Sequence, residues 1–351
     1  MTALEAPRAL AALDLLPAEW EQAMAELGQP AYRARQVFHA LHVEGARAWE
    51  AVTTLPRTLR VELAARFPLA APTVGARAVS VDGTVKYLLA LPDGREIETV
   101  HIPDGDRVTV CVSSQAGCAL ACAFCATGRL GLQRNLTAGE IVEQVYVARH
   151  DDPAPNVVFM GMGEPLANYA AVVRALRLLM APEGLHLSPR RITVSTSGLP
   201  DRIRRLAREG LGVRLAVSLH AADDATRSAL MPINDRYPLR AVLEAAAEYA
   251  QLTGRRVSYE YVMLAGVNDR PQDAARLARL LPRRDAHVNL IPYNPTDAEF
   301  RGSPPETIRA FARVLAEHGV PCSVRRSRGR DVEAACGQLA GARRGAVAAV
   351  S

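Results

Sequence analysis

The chain has 351 residues, 49% of them apolar and 23% charged, the balance of a globular enzyme with room for one large domain and a smaller one. Its formal charge of +5 admits an acidic partner such as nucleic acid without requiring one, and an aromatic share of 5% leaves any RNA contact to arginine more than to stacking. No stretch approaches the roughly 20 apolar residues that span a bilayer, and the N-terminus carries Glu5 and Asp14 in place of a basic leader region.

In chain order, residues 17–28 open on Pro17 and stop at Gly28, a helix with both signals in place. Further helical patterns at 31–43 and 58–67 complete a helical module over residues 1–72, small enough to need a neighbour to dock on. From Val74 the period changes to two. Segments 76–81, 85–91 and 96–102 are separated by Asp82-Gly83 and Asp93-Gly94, which are hairpin turn signals, so residues 73–104 read as an antiparallel extension.

Beyond it, strand patterns at 108–112, 156–160, 191–195, 214–219, 257–264 and 287–292 alternate with helical ones. The helices fall at 138–148, 169–180, 201–208, 239–252, 272–281 and 305–317. Thr137 and Glu140 form a capping-box pattern at the first of them. Six such repeats over residues 105–340 argue an α/β fold whose parallel sheet curls into a partial (β/α)6 barrel. Residues 341–351 are low in complexity and read as a frayed tail. In a barrel of this kind the chemistry sits at the carboxyl ends of the strands.

The first of those strand ends carries CVSSQAGCALACAFCAT, residues 111–127, with Cys118, Cys122 and Cys125 at spacings of four and three. Soft thiolates so placed select zinc or an iron–sulfur cluster. A closed zinc site wants four ligands, usually as two separated pairs, so a distant His would have to complete it. A cubane with three cysteines keeps one iron open to a small molecule. Six cysteines in all, three of them within eight residues, fit metal binding in a reducing compartment better than disulfide staples, and a cytoplasmic protein is expected.

Other stretches at strand ends add to this. Gly161-Met162-Gly163-Glu164-Pro165 puts glycines that admit a ligand close to the backbone beside a carboxylate. Ser195, Ser218, Leu219, His220 and Asn294 fall on the same rim. Cys111 and Cys336 lie outside the cluster spacing. Cys336 sits in a polar, Arg-rich stretch that favours thiolate and makes it a candidate nucleophile, whereas Cys322 reads as a small core hydrophobe. Arginines cluster at 202, 204, 205 and 208, read as a solvated helix face, and at 325, 326, 328 and 330, compatible with phosphate binding.

The three-cysteine spacing with Phe124 before the last thiol resembles the signature of the radical S-adenosylmethionine (SAM) superfamily. Together with GMGEPL, ITVSTSG, SLHA, MPIN, EYVML, GVND, NLIPYNP and AACGQLAG it resembles the dual-specificity radical SAM adenine-C2 methyltransferases, from about Leu13 to Gly341. The resemblance implies methylation of adenosine C2 in the peptidyl-transferase region of 23S rRNA and in the tRNA anticodon loop. It implies a [4Fe-4S] cluster on Cys118, Cys122 and Cys125, and SAM held by Gly163, Glu164, Ser195, Ser218, Leu219, His220 and Asn294.

Within that family a thiol matching Cys336 takes a methyl group from one SAM. A second SAM yields a radical that abstracts hydrogen from the methylated cysteine, and the carbon adds to the adenine. A proton acceptor matches Glu98, and a thiol matching Cys111 resolves the adduct by a transient disulfide with Cys336. The resemblance also implies an RNA-contacting role for residues 1–72, a low-potential electron donor of flavodoxin or ferredoxin type, and a monomer. Two other readings stay open: the adenine-C8 methyltransferases of antibiotic resistance, which share the cluster and both extra cysteines, and an RNA-binding protein with a structural metal.

Overall fold

The computed structural model describes residues 11–282 and 286–340. The tail expected at 341–351 lies outside the described residues. Three helices come first: α1 (Pro17–Glu26), α2 (Tyr32–His42) and α3 (Arg57–Arg66). Their apolar faces meet on Trp20, which lies 6.0 Å edge-on from Trp49 and 5.1 Å from Phe67, ring centre to ring centre. The buried indole of Trp49 donates to the Phe67 carbonyl at 2.9 Å, whereas the buried Trp20 N–H has no hydrogen-bond partner among the described residues.

The antiparallel extension follows as β1 (Thr73–Val79), β2 (Val85–Ala90) and β3 (Glu96–Asp104), pairing in that order. Each turn uses its Asp-Gly glycine in the left-handed region, Gly83 at φ 83° and Gly94 at φ 81°. Strand β4 (Arg107–Cys111) pairs antiparallel with β3 on one side and parallel with β7 on the other, which is where the extension joins the barrel. The cluster loop is bracketed by a small ribbon, β5 (Gln115–Gly117) with β6 (Leu132–Asn135), around the short helix α4 (Ala126–Arg129). Nothing in the sequence pattern announced this ribbon, because neither strand alternates and each is shorter than a periodicity can register.

The remaining units run α5 (Ala138–Ala148), β7 (Asn156–Phe159), α6 (Tyr169–Met180), β8 (Ile192–Thr196), α7 (Pro200–Arg208), β9 (Arg214–Ser218) and α8 (Asp224–Leu230). Then come α9 (Leu239–Thr253), β10 (Val257–Met263), α10 (Pro271–Leu280), β11 (Ala286–Pro292), α11 (Pro305–Glu317) and β12 (Cys322–Val324). The large sheet orders β1-β2-β3-β4-β7-β8-β9-β10-β11-β12, parallel from β4 onward and unpaired at both outer edges. This is the expected open α/β barrel of six parallel strands, with the three-residue β12 added at its edge. The capping box forms as read: Thr137 Oγ accepts from the Glu140 amide at 3.2 Å, and Glu140 accepts from the Thr137 amide at 2.9 Å.

One continuous core runs from Ala12 to Leu339. The N-terminal helices are fastened to α5 and α6 by polar contacts as well. Arg47 forks onto the Glu143 carboxylate, His42 Nδ1 meets the Tyr146 hydroxyl at 2.8 Å, and the Gly139 amide donates to Asp14 at 2.7 Å. A side chain on Gly139 would strike Leu13 at 2.8 Å, so this close approach requires glycine.

Candidate active site

The carboxyl ends of β7, β8 and β9 and the loop after β4 converge on a cavity of about 160 Å³. Cys118, Cys122 and Cys125 form one wall, and Gly161, Gly163 and Glu164 another. Ser195, Ser218, His220 and, less expectedly, Glu260 and Cys336 complete it. Two elements place the thiols. Ala121 sits at φ 50° between the first two of them, a costly conformation for a non-glycine residue, and the Cys118 amide is tied to the Gly131 carbonyl at 3.0 Å. The Cys125 amide donates to the Cys122 carbonyl at 3.1 Å, closing the turn.

Burial raises the Cys118 thiol to about 11 and lifts Cys122 further, and each thiol's charge would raise its neighbours. A metal bound here must displace the thiol protons, since only the thiolate sulfur ligates. Among the described residues no three ligating side chains are gathered around one point for a single ion. A cubane cluster takes each thiolate at a separate iron, so the three sulfurs around one cavity fit that group.

The glycine-rich turn is built for close approach. Gly163 sits at φ 96°, and a Cβ there would lie 2.5 Å from Gln115. Glu164 is buried, and its pKa is raised by that burial. It accepts from the Ser197 amide at 2.7 Å, the Ser197 hydroxyl at 2.9 Å and the Leu166 amide at 2.9 Å. His220 also adopts a left-handed backbone, φ 57°. Its Nδ1 accepts from the Val262 amide at 3.0 Å, which puts the ring proton on Nε2, and its ring stands edge-on to Phe124 at 4.8 Å. Burial, with Arg227 nearby, pushes its pKa down to about 3, so the imidazole is neutral.

Arg227 was not singled out by any motif. Fully buried on α8, it donates to the carbonyls of Ser197, Ser218 and Leu219 and to Asn234, tying the ends of β8 and β9 together beneath the cavity. Leu219 itself is core, and Asn294 lines a second cavity; neither lines the first.

That second cavity, about 820 Å³, occupies the inside of the barrel and opens at the amino ends of the strands. Cys336 lines both cavities, and Cys111, the last residue of β4, lines the second. The sulfur of Cys336 is therefore reachable from open space although protein crowds it from all sides. Burial raises both thiols, Cys111 to about 12, and charge on Cys336 would raise Cys111 further.

The group that opposes this is Arg325. The sequence grouped it with the phosphate-type arginines, but it turns inward, held 3.5 Å from Glu260 and 3.5 Å from the Met160 sulfur. It donates to the Cys336 sulfur, and its charge lowers the pKa of both cysteines. Glu260 in turn is buried on β10, which raises its pKa, and it accepts from Asn289 at 2.8 Å.

The Cys336 segment is laced down at many points. Ala126 and Thr127 of α4 donate to the Gly337 and Leu339 carbonyls at 2.8 and 2.6 Å, and Asn294 donates to the Cys336 carbonyl at 3.2 Å. Glu98 takes part in this lacing. It is not an exposed hairpin carboxylate: it is buried, paired with Lys86 at 3.0 Å, and accepts from the Ala340 amide at 2.9 Å. It lines neither cavity. Cys322 sits half-buried on β12 with its sulfur 3.6 Å from the Ala312 carbonyl, the structural place read for it.

The radical SAM superfamily profile matches residues 112–278, the stretch from the end of β4 through most of α10. The chain is 51% identical to the "Probable dual-specificity RNA methyltransferase RlmN" of Gemmatimonas aurantiaca, over 94% of this chain and 90% of that one. It is 48% identical to the dual-specificity RNA methyltransferase RlmN of Anaeromyxobacter dehalogenans, over 90% and 88%. A solved radical SAM methyltransferase from Sphaerobacter thermophilus superposes with a TM-score of 0.90 at 50% identity, covering 94% of this chain and 99% of that one.

Proposed function

The chain belongs to the dual-specificity RNA methyltransferases of the radical SAM superfamily, and from that premise we propose that it methylates C2 of adenosine in 23S rRNA and in the tRNA anticodon loop. The observation that carries the proposal is the place of Cys336, a sulfur open to the thiol-walled cavity on one side and to the barrel interior on the other. A carrier of one carbon between two substrates needs that position.

Cys118, Cys122 and Cys125 would hold a [4Fe-4S] cluster, and Gly163, Glu164, Ser195, Ser218 and His220 would hold SAM beside it. Bound there, cluster and SAM supply one-electron chemistry able to take hydrogen from an unactivated carbon, given an electron from a flavodoxin- or ferredoxin-type donor. The chain's own residues do the rest. Cys336, its thiolate favoured by Arg325, attacks the methyl carbon of SAM and takes the methyl group, and S-adenosylhomocysteine leaves as the thioether. Adenine C2 has no lone pair to attack a methyl sulfonium, so the carbon must reach it from the methylated Cys336 as a radical.

Glu98 takes the ring proton. Its tie to Ala340, four residues past Cys336, lets a shift of that segment bring the two together. Cys111 then gives up its proton and attacks the Cys336 sulfur; the carbon–sulfur bond breaks, the released CH2 carbon takes a proton to become the methyl group, the one electron left over from the radical addition would return to the bound cluster, and a disulfide remains. Asn294 fixes the Cys336 backbone, and Leu219 offers only its backbone. The enzyme works as a cytoplasmic monomer on this reading, with residues 1–72 as the RNA-contacting accessory.

Mass spectrometry of nucleosides after turnover with methyl-labelled SAM tests the site of transfer: the label appears at C2, and label at C8 would favour the resistance-type reaction. Protein purified without oxygen should be brown, with iron and sulfide. Colourless protein holding zinc would instead indicate an RNA-binding protein with a structural metal.

A further inference from the structure

The larger cavity has an unusual wall. Arg107 and Arg214 begin β4 and β9, and Arg191 directly precedes β8, with Arg190 beside it on a 3-10 turn. Parallel strands bring all four to the amino-terminal end of the barrel, opposite the rim that carries the three thiols. Arg326 and Arg328, just past β12, close the ring. Including the inward Arg325, seven arginines among the described residues line this one cavity, against a single carboxylate, Asp104.

Asp104 is already shared by Arg107 at 3.3 Å and Arg328 at 3.7 Å. Among the described residues Arg190, Arg191, Arg214 and Arg326 have no ion-pair partner. On α7, by contrast, Arg204 forks onto Glu248, and Arg202 and Arg205 lie over the Tyr169 ring. Cations left uncompensated at one mouth favour a polyanion there.

We propose that the RNA reaches the enzyme through this amino-terminal mouth, its phosphates held by Arg190, Arg191, Arg214 and Arg326. The target adenosine, turned out of its stack, lies in the barrel against Cys111 and Cys336, on the opposite side of Cys336 from SAM. Three observations agree on this. A cavity of about 820 Å³ accommodates a nucleotide, within the usual range of about 300–1,000 Å³ for ligand sites. Only this cavity of the two contains Cys111, the thiol that must reach a sulfur still bonded to the base. The arrangement also separates the two substrates, so that Cys336 can be charged with methyl before or after RNA docks.

The inference rests on the RNA methyltransferase reading and is tested apart from it. The triple substitution Arg190→Ala/Arg191→Ala/Arg214→Ala is compared with wild-type holoenzyme and with Arg202→Ala/Arg208→Ala on α7, which loses arginines away from the mouth. Affinity for an anticodon stem–loop RNA is measured from low to moderate salt, alongside methyl uptake from SAM by Cys336 in the absence of RNA.

The proposal expects the mouth variant to bind RNA at least tenfold more weakly and its log K–log salt slope to shrink by about 2, near 0.7 per lost phosphate contact to single-stranded RNA. The α7 variant keeps the wild-type slope, and all three proteins take up methyl on Cys336. A mouth variant with wild-type affinity and slope, in a protein that does methylate RNA, overturns the approach route and leaves the reaction standing. Loss of Cys336 methylation in the mouth variant also overturns it, because the mouth would then serve the SAM side. A wild-type protein that binds the RNA but modifies none overturns the reaction instead.

Discussion

At the scale of single residues, the proposed chemistry turns on three side chains that share one small volume: Cys336, Cys111 and Arg325. Cys336→Ala removes the methyl acceptor, so uptake of labelled methyl by the protein should fall to background. Cys111→Ala leaves uptake intact and strands the enzyme on its RNA, visible as a covalent adduct on a denaturing gel. Arg325 opposes the burial that raises both thiols, so Arg325→Met should slow methyl uptake by Cys336 at pH 7 by tenfold or more. Raising the pH should restore much of that rate, because more of the thiol is then ionised, and Arg325→Lys should fall between the two. A uniform slowing with no pH dependence would make Arg325 a packing residue only. The cluster cysteines and the glycine-rich turn could be named from sequence because each is spaced against local neighbours, and Cys336 because its stretch is polar and Arg-rich. The pairing of Arg325 with Glu260 could not, since it joins β10 to the end of β12: Glu260 opens the EYVML stretch and Arg325 stands in a basic run, but nothing local says that the two meet.

At the scale of elements, the antiparallel extension acquires a purpose that its alternating pattern does not disclose. Its β1–β2 turn holds the C-terminal segment through Asp331 and Ser80, and through the Gly329 amide and Asp82 at 3.1 Å; its β2 and β3 hold it through Lys86 and Glu98. These contacts fasten the segment on the side away from α4 and Asn294, which hold it from the barrel. Lys86→Met leaves Glu98 buried and unpaired and should lower unfolding free energy by about 3–5 kcal/mol, and Lys86→Met/Glu98→Leu should recover most of it. Chemical denaturation compares the two.

The N-terminal helices carry a pH-sensitive seam of their own. Burial, with the Arg47 charge beside it, pushes His42 down to about 3, so it is neutral where α2 meets Tyr146, Glu143 and Phe38. A histidine depressed on folding contributes stability that is complete above about pH 6.5 and is lost as the pH falls toward 3. Stability should therefore decline below pH 6.5 by up to about 1.4 kcal/mol per pH unit from this residue, and His42→Phe should flatten that decline. An unchanged slope in the variant would show that other groups carry it.

At the scale of the whole molecule, the two cavities meet at Cys336, and on the proposed route the barrel is a passage with a different substrate at each end. The six strand–helix repeats were legible in sequence because they are long, periodic and separated by clear stops. The short β5–β6 ribbon, α8 and the second cavity were not, since a four-residue strand has no period and a cavity belongs to residues spread from Ile102 to Leu339. The basic run after β12 was legible as basic, but its division into one inward arginine and others at the mouth follows only from where the chain enters the sheet.

The most direct test of the carrier role is tandem mass spectrometry of the covalent complex trapped with Cys111→Ala and methyl-labelled SAM. One labelled carbon should join the sulfur of Cys336 to C2 of the target adenine. A labelled adenine made by an enzyme whose Cys336 never carries the label would contradict the account.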